Sequence, residues 1–367
     1  MSDRSRRIKV AVIYGGRSSE HDVSLQSARC VLDNLDSERF EIVPLAIDRQ
    51  GRWHRQDYAR LKAHGGKALP IETRGAAVLP AQAGTSSMVA SLDGPIDVVF
   101  PVVHGPLCED GSLQGMLELS DVAYVGAGVL GSAVCMDKDV AKRLVRAAGI
   151  ATAEYLSVQA GRYDARRLQA QVAAGLGYPV FVKPATLGSS VGVTRAHDAA
   201  ALDAAVALAF EYDTKLLVER AVDAREIELA VLQALEPGAP PGVSVAGEIT
   251  PEDAFYSYER KYLESAGARL KIPAELSRAQ ASEARRIAAT AFESLECEGM
   301  ARIDLFLDRR SGQLLFNEAN TLPGFTTISM YPKLWEASGL TYSALLSHLV
   351  DLALARHARK SQLKRER

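Results

Sequence analysis

The 367-residue chain is long enough for two or three domains, and its 47% hydrophobic and 24% charged residues are typical of a soluble globular protein. A formal net charge of -2 argues against a nucleic-acid partner, and no stretch forms a signal peptide or approaches the roughly 18 apolar residues of a membrane span. Four scattered cysteines, without a C-x-x-C pair or zinc-like spacing, predict a reduced, cytoplasmic setting.

The first third of the chain predicts a layered α/β domain. Lys9–Tyr14 is a short, almost entirely apolar run that stops at a pair of glycines, as expected of a strand buried on both faces. A helical pattern follows, and Phe40–Ile47 and Ile96–Val103 predict two more buried strands. Residues 51–94, rich in Gly, Pro, Ala and Ser, predict an excursion that contains a short strand and a short helix.

The rest of the chain predicts mixed strands and helices without internal repeats. The predicted strands are Tyr178–Lys183, Val191–Thr194, Lys215–Val218 and Glu226–Gln233, and the predicted helices are Asp139–Ala148, Ala199–Phe210 and Ser277–Leu295. A hairpin at Gly299–Asn320 precedes a Gly/Pro loop and C-terminal helices. The basic run Arg356–Arg367 predicts a solvated, frayed tail.

The hairpin carries the most informative pattern. Both of its strands, MARIDLFLD and LLFNEAN, alternate with period two, so that alternate residues share a face. If Arg309–Gln313 forms the turn, the predicted cross-strand pairs are Arg302 with Asn320, Asp304 with Glu318, and Phe306 with Phe316. The aromatic pair favours this register.

This register gathers Asp304, Glu318 and Asn320 on one surface beside Arg302. Three oxygen-bearing side chains suit a hard cation such as magnesium, which usually completes its shell with water and substrate phosphates. An exposed face with ordinary salt bridges is the alternative interpretation. A slip of one residue would send the two sets of side chains to opposite faces.

A second segment, PVFVKPATLGSSVGV, joins a strand-ending lysine to a Gly-Ser-Ser turn. Small residues let backbone N–H groups approach phosphate oxygens, and Lys183 supplies a compact positive charge. The Walker A pattern is absent from the chain, and an ordinary hairpin would also explain the segment.

A third segment, LLVERAVDAREIEL, runs from an apolar strand through Glu219 to Glu226. The connector between them has backbone groups that could read an adenine edge, and a nearby carboxylate could hold ribose hydroxyls. Taken alone the signal is weak, because glutamate is common in surface strands.

Two N-terminal loops form the fourth candidate. GGRSSEHDVS follows the first strand, and His104 begins the loop after Ile96–Val103. Both loops should leave the carboxyl edge of a parallel sheet, where such folds bind ligands, so Glu20 and His104 are candidates to meet one small substrate. The G-x-G-x-x-G fingerprint is absent, which argues against a dehydrogenase.

Seven colinear segments resemble the D-alanine–D-alanine ligases of the ATP-grasp superfamily. They are GGRSSEHDVSLQSA, HGPLCEDGSLQGMLEL, MDK, VKPATLGSSVGV, YERKY, ARIDLF and NEANTLPGF, between about residue 8 and residue 350. The resemblance implies a Rossmann-like domain at 1–137, followed by a two-subdomain ATP-grasp fold at 138–223 and 224–367 with a mobile loop near 248–267. It also implies ATP-dependent ligation of two D-alanines through an acyl phosphate, for peptidoglycan synthesis, by a cytoplasmic homodimer that contacts neither nucleic acid nor membrane.

The resemblance assigns roles residue by residue. Catalytic roles fall to Glu20, Ser189, Tyr262 and Arg302, and D-alanine contacts to Glu20, His104, Arg302, Gly324, Ser329 and Met330. ATP contacts fall to Lys138, Lys183, Ser189, Ser190, Val191, Glu219, Arg220, Ala221, Val222, Glu226 and Lys261. Two Mg²⁺ or Mn²⁺ ions would be held by Asp304, Glu318 and Asn320.

Three alternatives stay open at this point. An ATP-grasp ligase that takes D-lactate, D-serine or another amine second would keep the phosphate and metal residues but differ at Glu20, His104 and Tyr262. A nucleotide-binding regulator should have lost a metal ligand or the phosphate lysine, and none is lost. A Rossmann dehydrogenase is suggested only by the first strand and its glycines.

Overall fold

The structure, a computed structural model, describes residues 6–73, 95–251 and 268–364. The first of its sheets is a five-stranded α/β layer in the order β3-β2-β1-β4-β5. The strands are β1 Ile8–Gly15, β2 Phe40–Ile47, β3 Trp53–Arg55, β4 Val98–Val103 and β5 Ala123–Tyr124. The helices around it are α1 His21–Asn34, α2 Tyr58–Ala63, α3 Ser112–Leu119 and α4 Val129–Met136. β1 pairs in parallel with β2 and β4, so the carboxyl ends of β1 and β4 lie side by side.

Strand β1 is buried on both faces, which explains its unbroken apolar run. Val10 and Val12 pack into one hydrophobic cluster, and Ala11 and Ile13 pack into another on the opposite side. The strand ends at Gly15, whose φ of +92° and close approach to the Ile47 carbonyl leave no room for a Cβ atom. Glycine is therefore required where the chain turns towards α1.

The second sheet is four-stranded and antiparallel, in the order β6-β9-β7-β8. Its strands are β6 Tyr155–Gln159, β7 Val180–Pro184, β8 Thr194–Ala196 and β9 Lys215–Arg220, and its helices are α5 Lys138–Ala147, α6 Ala165–Gln171 and α7 Ala199–Ala209. The predicted strand Val191–Thr194 is wrong, because β8 begins only at Thr194. Ser189, Ser190 and Gly192 have positive φ, which an extended strand does not allow.

The third sheet is built around the predicted hairpin, in the order β13-β12-β10-β14-β15 with β11 beside β10. Its strands are β10 Ala224–Leu232, β11 Gly242–Val243, β12 Gly247–Pro251, β13 Ala268–Lys271, β14 Met300–Asp308 and β15 Leu314–Asn320, and its helices are α8 Arg278–Ser294, α9 Met330–Ala337 and α10 Tyr342–Ser361. Helix α8 begins with a capping box between Ser277 and Gln280. The domain boundaries at 138 and 224 stay predictions.

The register of the hairpin is confirmed at its functional end and wrong beyond it. Arg302 pairs with Asn320 and Asp304 with Glu318, but Phe316 pairs with Leu305 instead of Phe306. A β-bulge places one extra residue in β15 at this point. Phe316 therefore turns into the hydrophobic core, while Glu318 and Asn320 remain on the face predicted for them.

The predicted C-terminal tail is wrong over its first residues. Helix α10 continues to Ser361, and Arg356 is only 6% exposed. Its guanidinium donates hydrogen bonds to the Tyr124 and Gly126 carbonyls at 2.7 Å each, and Lys360 lies 2.6 Å from a Glu118 carboxylate oxygen. Basic residues here anchor the last helix to the first domain.

Two expectations from composition can be compared with the structure. No helix in the described parts of the chain is long and apolar enough to cross a lipid bilayer. All four cysteines are free thiols, including Cys135 and Cys297, whose sulfur atoms lie 3.4 Å apart.

Candidate active site

The loops after β1 and β4 meet at the carboxyl edge of the first sheet. Ser18 links them, because its hydroxyl donates a hydrogen bond to the His104 carbonyl at 2.7 Å. Gly105 has φ +82°, and a Cβ there would lie 3.1 Å from a Glu20 carboxylate oxygen. The parallel order of β1 and β4 thus brings Glu20 and His104 together, as the sequence pattern predicts.

His104 is a buried imidazole with one nitrogen engaged. Its Nδ1 lies 3.1 Å from the Leu322 carbonyl and 3.5 Å from a Glu109 oxygen. Burial opposes the charged form, yet Glu109, with the Glu20 charge and the Leu322 carbonyl, raises the pKa of His104 above its ordinary value. Within the described residues, Nε2 has no hydrogen-bond partner. A protonated His104 can therefore donate to an anionic group such as a carboxylate.

The Gly-Ser-Ser turn between β7 and β8 reaches across to the first domain. Its backbone is fixed by hydrogen bonds from Val191 to Gly188 and from Val193 to Ser190. The Ser189 hydroxyl donates a short hydrogen bond to the Glu20 carboxylate. A turn suited to phosphate and a carboxylate suited to an ammonium group are thereby joined directly.

Two lysines, Lys138 and Lys183, lie next to this turn. Lys138, in the first turn of α5, donates to the Leu187 carbonyl at 2.6 Å and lies 3.3 Å from Glu318. Lys183, near the end of β7, is buried and lies 2.8 Å from an oxygen of Glu219. The two amino groups supply the positive charge that a polyphosphate needs.

The Glu219 side chain, which the family resemblance assigns to ATP binding, is only 3% exposed. Its two oxygens pair with Lys183 and with Lys142, each at 2.8 Å. Burial alone would raise its pKa, but the two lysines lower the pKa of Glu219 to about 2. The residue is therefore an anchored anion, and adenine recognition would have to come from the backbone after it.

The predicted adenine segment is partly engaged with its own subdomain. The Arg220 guanidinium donates to the carbonyls of Leu176 and Gly175, and the Ala221 N–H donates to the Pro179 carbonyl at 3.1 Å. Val222 follows in the connector to β10, and Glu226 lies on β10 beside Phe306. The segment connects β9 of the second sheet to β10 of the third sheet, and its contact with adenine stays a prediction.

The predicted metal ligands lie together on the hairpin. The Asn320 amide is 3.3 Å from Asp304, whose carboxylate accepts two hydrogen bonds from Arg302 at 2.6 and 2.7 Å. Arg302 also lies 3.1 Å from Glu228 on β10. Each of the two predicted carboxylate ligands therefore has a cationic neighbour, Arg302 beside Asp304 and Lys138 beside Glu318.

The donor set fits a hard divalent cation. In the described chain no three His, Cys, Asp or Glu side chains converge on one point, so the protein offers two carboxylates and one amide. Magnesium commonly takes few protein ligands and fills its shell with water and phosphate oxygens. Lys138 lies 3.3 Å from Glu318, so a positive charge stands beside this donor set.

Comparison with known proteins decides the family. A model described as the D-ala D-ala ligase N-terminus matches residues 9–127, and one described as the D-ala D-ala ligase C-terminus matches residues 144–351. The chain belongs to the D-alanine–D-alanine ligase family. D-alanine–D-alanine ligase A of Bradyrhizobium diazoefficiens is 51% identical over 98% of both chains, and that of Chromobacterium violaceum is 49% identical over 95% of both.

Solved structures of this ligase family match at least 95% of the chain. The D-alanine-D-alanine ligase from Coxiella burnetii has a TM-score of 0.82 at 35% identity and covers 98% of this chain with 97% of its own. The VanG D-Ala:D-Ser ligase from Enterococcus faecalis has a TM-score of 0.79 at 35% identity, covering 95% of this chain with all of its own. The predicted fold, a Rossmann-like domain followed by an ATP-grasp pair, is confirmed.

The loop expected to contact the second D-alanine in this ligase family is tightly closed. The Ser329 hydroxyl accepts from the Thr326 N–H at 2.9 Å, and a Cβ on Gly324 would lie 2.8 Å from that hydroxyl. The Met330 side chain is buried and packs against Gly247. Lys261 and Tyr262 lie outside the described residues, as does most of the predicted mobile loop.

Three residues of the site were missed by the sequence interpretation. Glu109 pairs with His104, Glu228 pairs with Arg302, and Lys142 pairs with Glu219. Of these, Lys142 had a readable signal, because it follows Lys138 by one helical turn and so shares its face of α5. Glu109 lies in the same loop as His104, but nothing in the pattern of that loop shows which of its acidic residues faces the imidazole, and Glu228 meets Arg302 only through the pairing of β10 with β14.

Proposed function

We propose that this chain uses ATP to join two molecules of D-alanine into D-alanyl-D-alanine, releasing ADP and phosphate. The observation that carries the proposal is the hydrogen bond from Ser189 to Glu20, which joins a phosphate-binding turn to an amino-acid-binding loop. The names of relatives about 50% identical over nearly the full chain support this choice of substrate. The competing assignment is a ligase that takes D-serine or D-lactate as its second substrate. It has to be tested, because a D-Ala:D-Ser ligase is also similar to this chain, at 35% identity.

In the first step, the carboxylate of one D-alanine attacks the γ-phosphate of ATP to form an acyl phosphate. Glu20 holds the ammonium group of this D-alanine, and His104 donates to its carboxylate. Lys138 and Lys183 reduce the repulsion between the two approaching anions, as positioning and electrostatics must do in phosphoryl transfer. Two divalent cations held by Asp304, Glu318 and Asn320 would supply further positive charge to the phosphate oxygens.

In the second step, the uncharged amine of another D-alanine attacks the acyl carbon, and phosphate leaves. Arg302 stabilises the negative charge that develops on the acyl oxygen. The loop from Gly324 to Met330 lines the second substrate. Water would hydrolyse the acyl phosphate, so the site has to exclude water during turnover. The predicted loop near 248–267, with Lys261 and Tyr262, is the proposed cover, and most of it lies outside the described residues.

The pH dependence of D-alanine binding should report on Glu109. In the wild type, the raised pKa of His104 keeps the imidazolium present beyond its ordinary range, so KM for D-alanine stays low and rises only as pH increases through that raised pKa. Glu109→Gln removes the main carboxylate partner, lowers the pKa of His104, and should start the rise at lower pH, with KM about three- to tenfold higher at pH 8. Initial rates against D-alanine concentration at a series of pH values measure this. The exposed Glu38→Gln variant serves as control, and superimposable profiles for Glu109→Gln and wild type would contradict the assignment.

Discrimination between second substrates should depend on Tyr262. A tyrosine here resembles the dipeptide-forming members of the family, so Tyr262→Phe should raise the yield of the D-hydroxy-acid product relative to the dipeptide. The ratio of the two product formation rates, followed across pH with D-alanine and D-lactate together, measures the effect. An unchanged ratio would refute this role.

The setting of the reaction is also proposed. We expect the dipeptide to enter peptidoglycan synthesis, and the protein therefore to act in a bacterial cytoplasm. The family resemblance suggests that it forms a homodimer. Light scattering during gel filtration checks the oligomeric state.

The decisive experiment measures phosphate release from Mg-ATP together with product mass. D-Alanine, L-alanine, D-alanine with D-lactate, and D-alanine with D-serine are supplied in separate reactions. Release with D-alanine alone and a D-alanyl-D-alanine mass supports the proposal. Release only with a second compound keeps the ligase chemistry but replaces the substrate, and ATP binding without release in any reaction favours a regulator.

A further inference from the structure

Lys142 is a fully buried lysine beside the ATP site, with 0% of its side chain exposed. It lies on α5, one turn after Lys138, and its ammonium group points towards the junction of the second and third sheets. The group is 3.5 Å from the Phe316 carbonyl on β15 and 6.0 Å from the centre of the Tyr155 ring on β6. A buried ammonium group is costly unless a carboxylate balances it.

The balancing carboxylate is Glu219, and it is shared. One of its oxygens lies 2.8 Å from Lys142 and the other lies 2.8 Å from Lys183. With both lysines protonated, two cations on one anion give this cluster of three residues a net charge of +1. Burial lowers the pKa of Lys142 against the opposing effect of Glu219, and the charge on Lys183 lowers it further. A simple pair of Lys183 and Glu219 would be neutral, so Lys142 is the source of the surplus.

That surplus is positioned where an anion has to bind. Lys183 stands at the end of β7, next to the turn that contains Ser189, and it keeps a small exposed fraction while Lys142 has none. Only Lys183 can therefore contact a ligand. Lys142 acts on it through Glu219, by occupying one carboxylate oxygen that would otherwise turn to Lys183.

We propose that Lys142 is a positioning residue for the phosphates of ATP: it divides the Glu219 carboxylate and so leaves Lys183 with positive charge for a phosphate. The inference rests on the proposed function in one respect, that the anion bound at Lys183 belongs to ATP. The competing account is that Lys142 and Glu219 form an ion pair with a purely structural role. Apolar side chains can often replace such a buried pair without loss of stability.

The test compares a ligand with phosphates to one without them. Isothermal titration calorimetry on the full chain, with Mg²⁺ present, gives the dissociation constants of a non-hydrolysable ATP analogue and of adenosine. Lys142→Met keeps the length of the stem and removes the charge. We expect it to weaken binding of the analogue by at least about tenfold and to change adenosine binding by less than about twofold.

Two further variants separate charge from packing. Arg143→Met removes a cation from the same helix, but one whose side chain is 62% exposed, and should alter neither dissociation constant. Lys142→Met combined with Glu219→Gln removes one charge of each sign and leaves Lys183 as the cation of the cluster. This double variant should bind the analogue within about threefold of wild type, relative to adenosine. It also tests the proposal if the single variant does not fold.

The outcomes distinguish the two levels of inference. Equal weakening of analogue and adenosine by Lys142→Met, unchanged binding of both, or a double variant as weak as the single one would overturn the role of Lys142. A wild-type protein that binds adenosine but not the analogue, and releases no phosphate from ATP, would overturn the proposed function instead.

Discussion

Replacing Asp304 with asparagine should lower kcat/KM for ATP by about 10³-fold, equivalent to ~4 kcal/mol of transition-state stabilisation. The change keeps the shape of the side chain but removes one of two carboxylates that face the expected position of the phosphates. It also weakens the hold on Arg302, which now donates two hydrogen bonds to Asp304. Phosphate release at saturating D-alanine, over a range of ATP and Mg²⁺ concentrations, measures the loss.

A second readout connects this loss to metal binding. Electron paramagnetic resonance of free Mn²⁺ reports how much of the ion the protein and ATP bind together, without any turnover. Asp308→Asn is the matched control, because it makes the same substitution on the same face of β14, at a carboxylate that accepts hydrogen bonds from Arg310 and Ser311 in the hairpin turn. If Asp304→Asn bound Mn²⁺ and turned over like Asp308→Asn, the metal assignment on the hairpin would be wrong.

The hairpin shows how far sequence periodicity extends. Alternation with period two correctly predicts the pairs Arg302–Asn320 and Asp304–Glu318, because both strands have one buried and one polar face. It wrongly predicts Phe306 opposite Phe316, because alternation alone does not reveal that a strand contains an inserted residue. The bulge lets β15 bury Phe316 in the core and still present Glu318 to the site.

The charged residues of the site show a different limit. Sequence position suggests that Glu219 follows a strand and that Lys183 ends another, but their ion pair depends on β7 and β9 being neighbours. The surplus charge depends on a third element, α5, which carries Lys142. Family resemblance transfers roles only to residues within recognised motifs. Residues that act on those motifs from elsewhere, such as Glu228 on Arg302, need the tertiary structure.

The prediction of a frayed tail for the C-terminal basic run is wrong for a related reason. A cluster of Arg and Lys at a chain end is usually solvated, so composition alone predicts a frayed tail. In this protein the run begins while α10 is still packed on β5, and Arg356 meets carbonyls that the short β5 strand and its following loop leave unpaired. Its guanidinium also lies 4.3 Å from the centre of the Tyr124 ring. Polarity and burial are compatible here because the planar group has enough donors for both carbonyls.

Arg356→Met should therefore reduce the free energy of unfolding by about 3–4 kcal/mol, which for a chain of this length corresponds to a fall in melting temperature of about 4–5 °C. Methionine fills a similar volume, but the carbonyls of Tyr124 and Gly126 would be left buried without donors. Thermal unfolding followed by circular dichroism measures the change. Arg359→Met removes an exposed arginine from the same helix and should stay within about 0.5 kcal/mol of wild type. Equal melting temperatures for the two variants would mean that water reaches the carbonyls, and that α10 is held to the first domain by its apolar face alone.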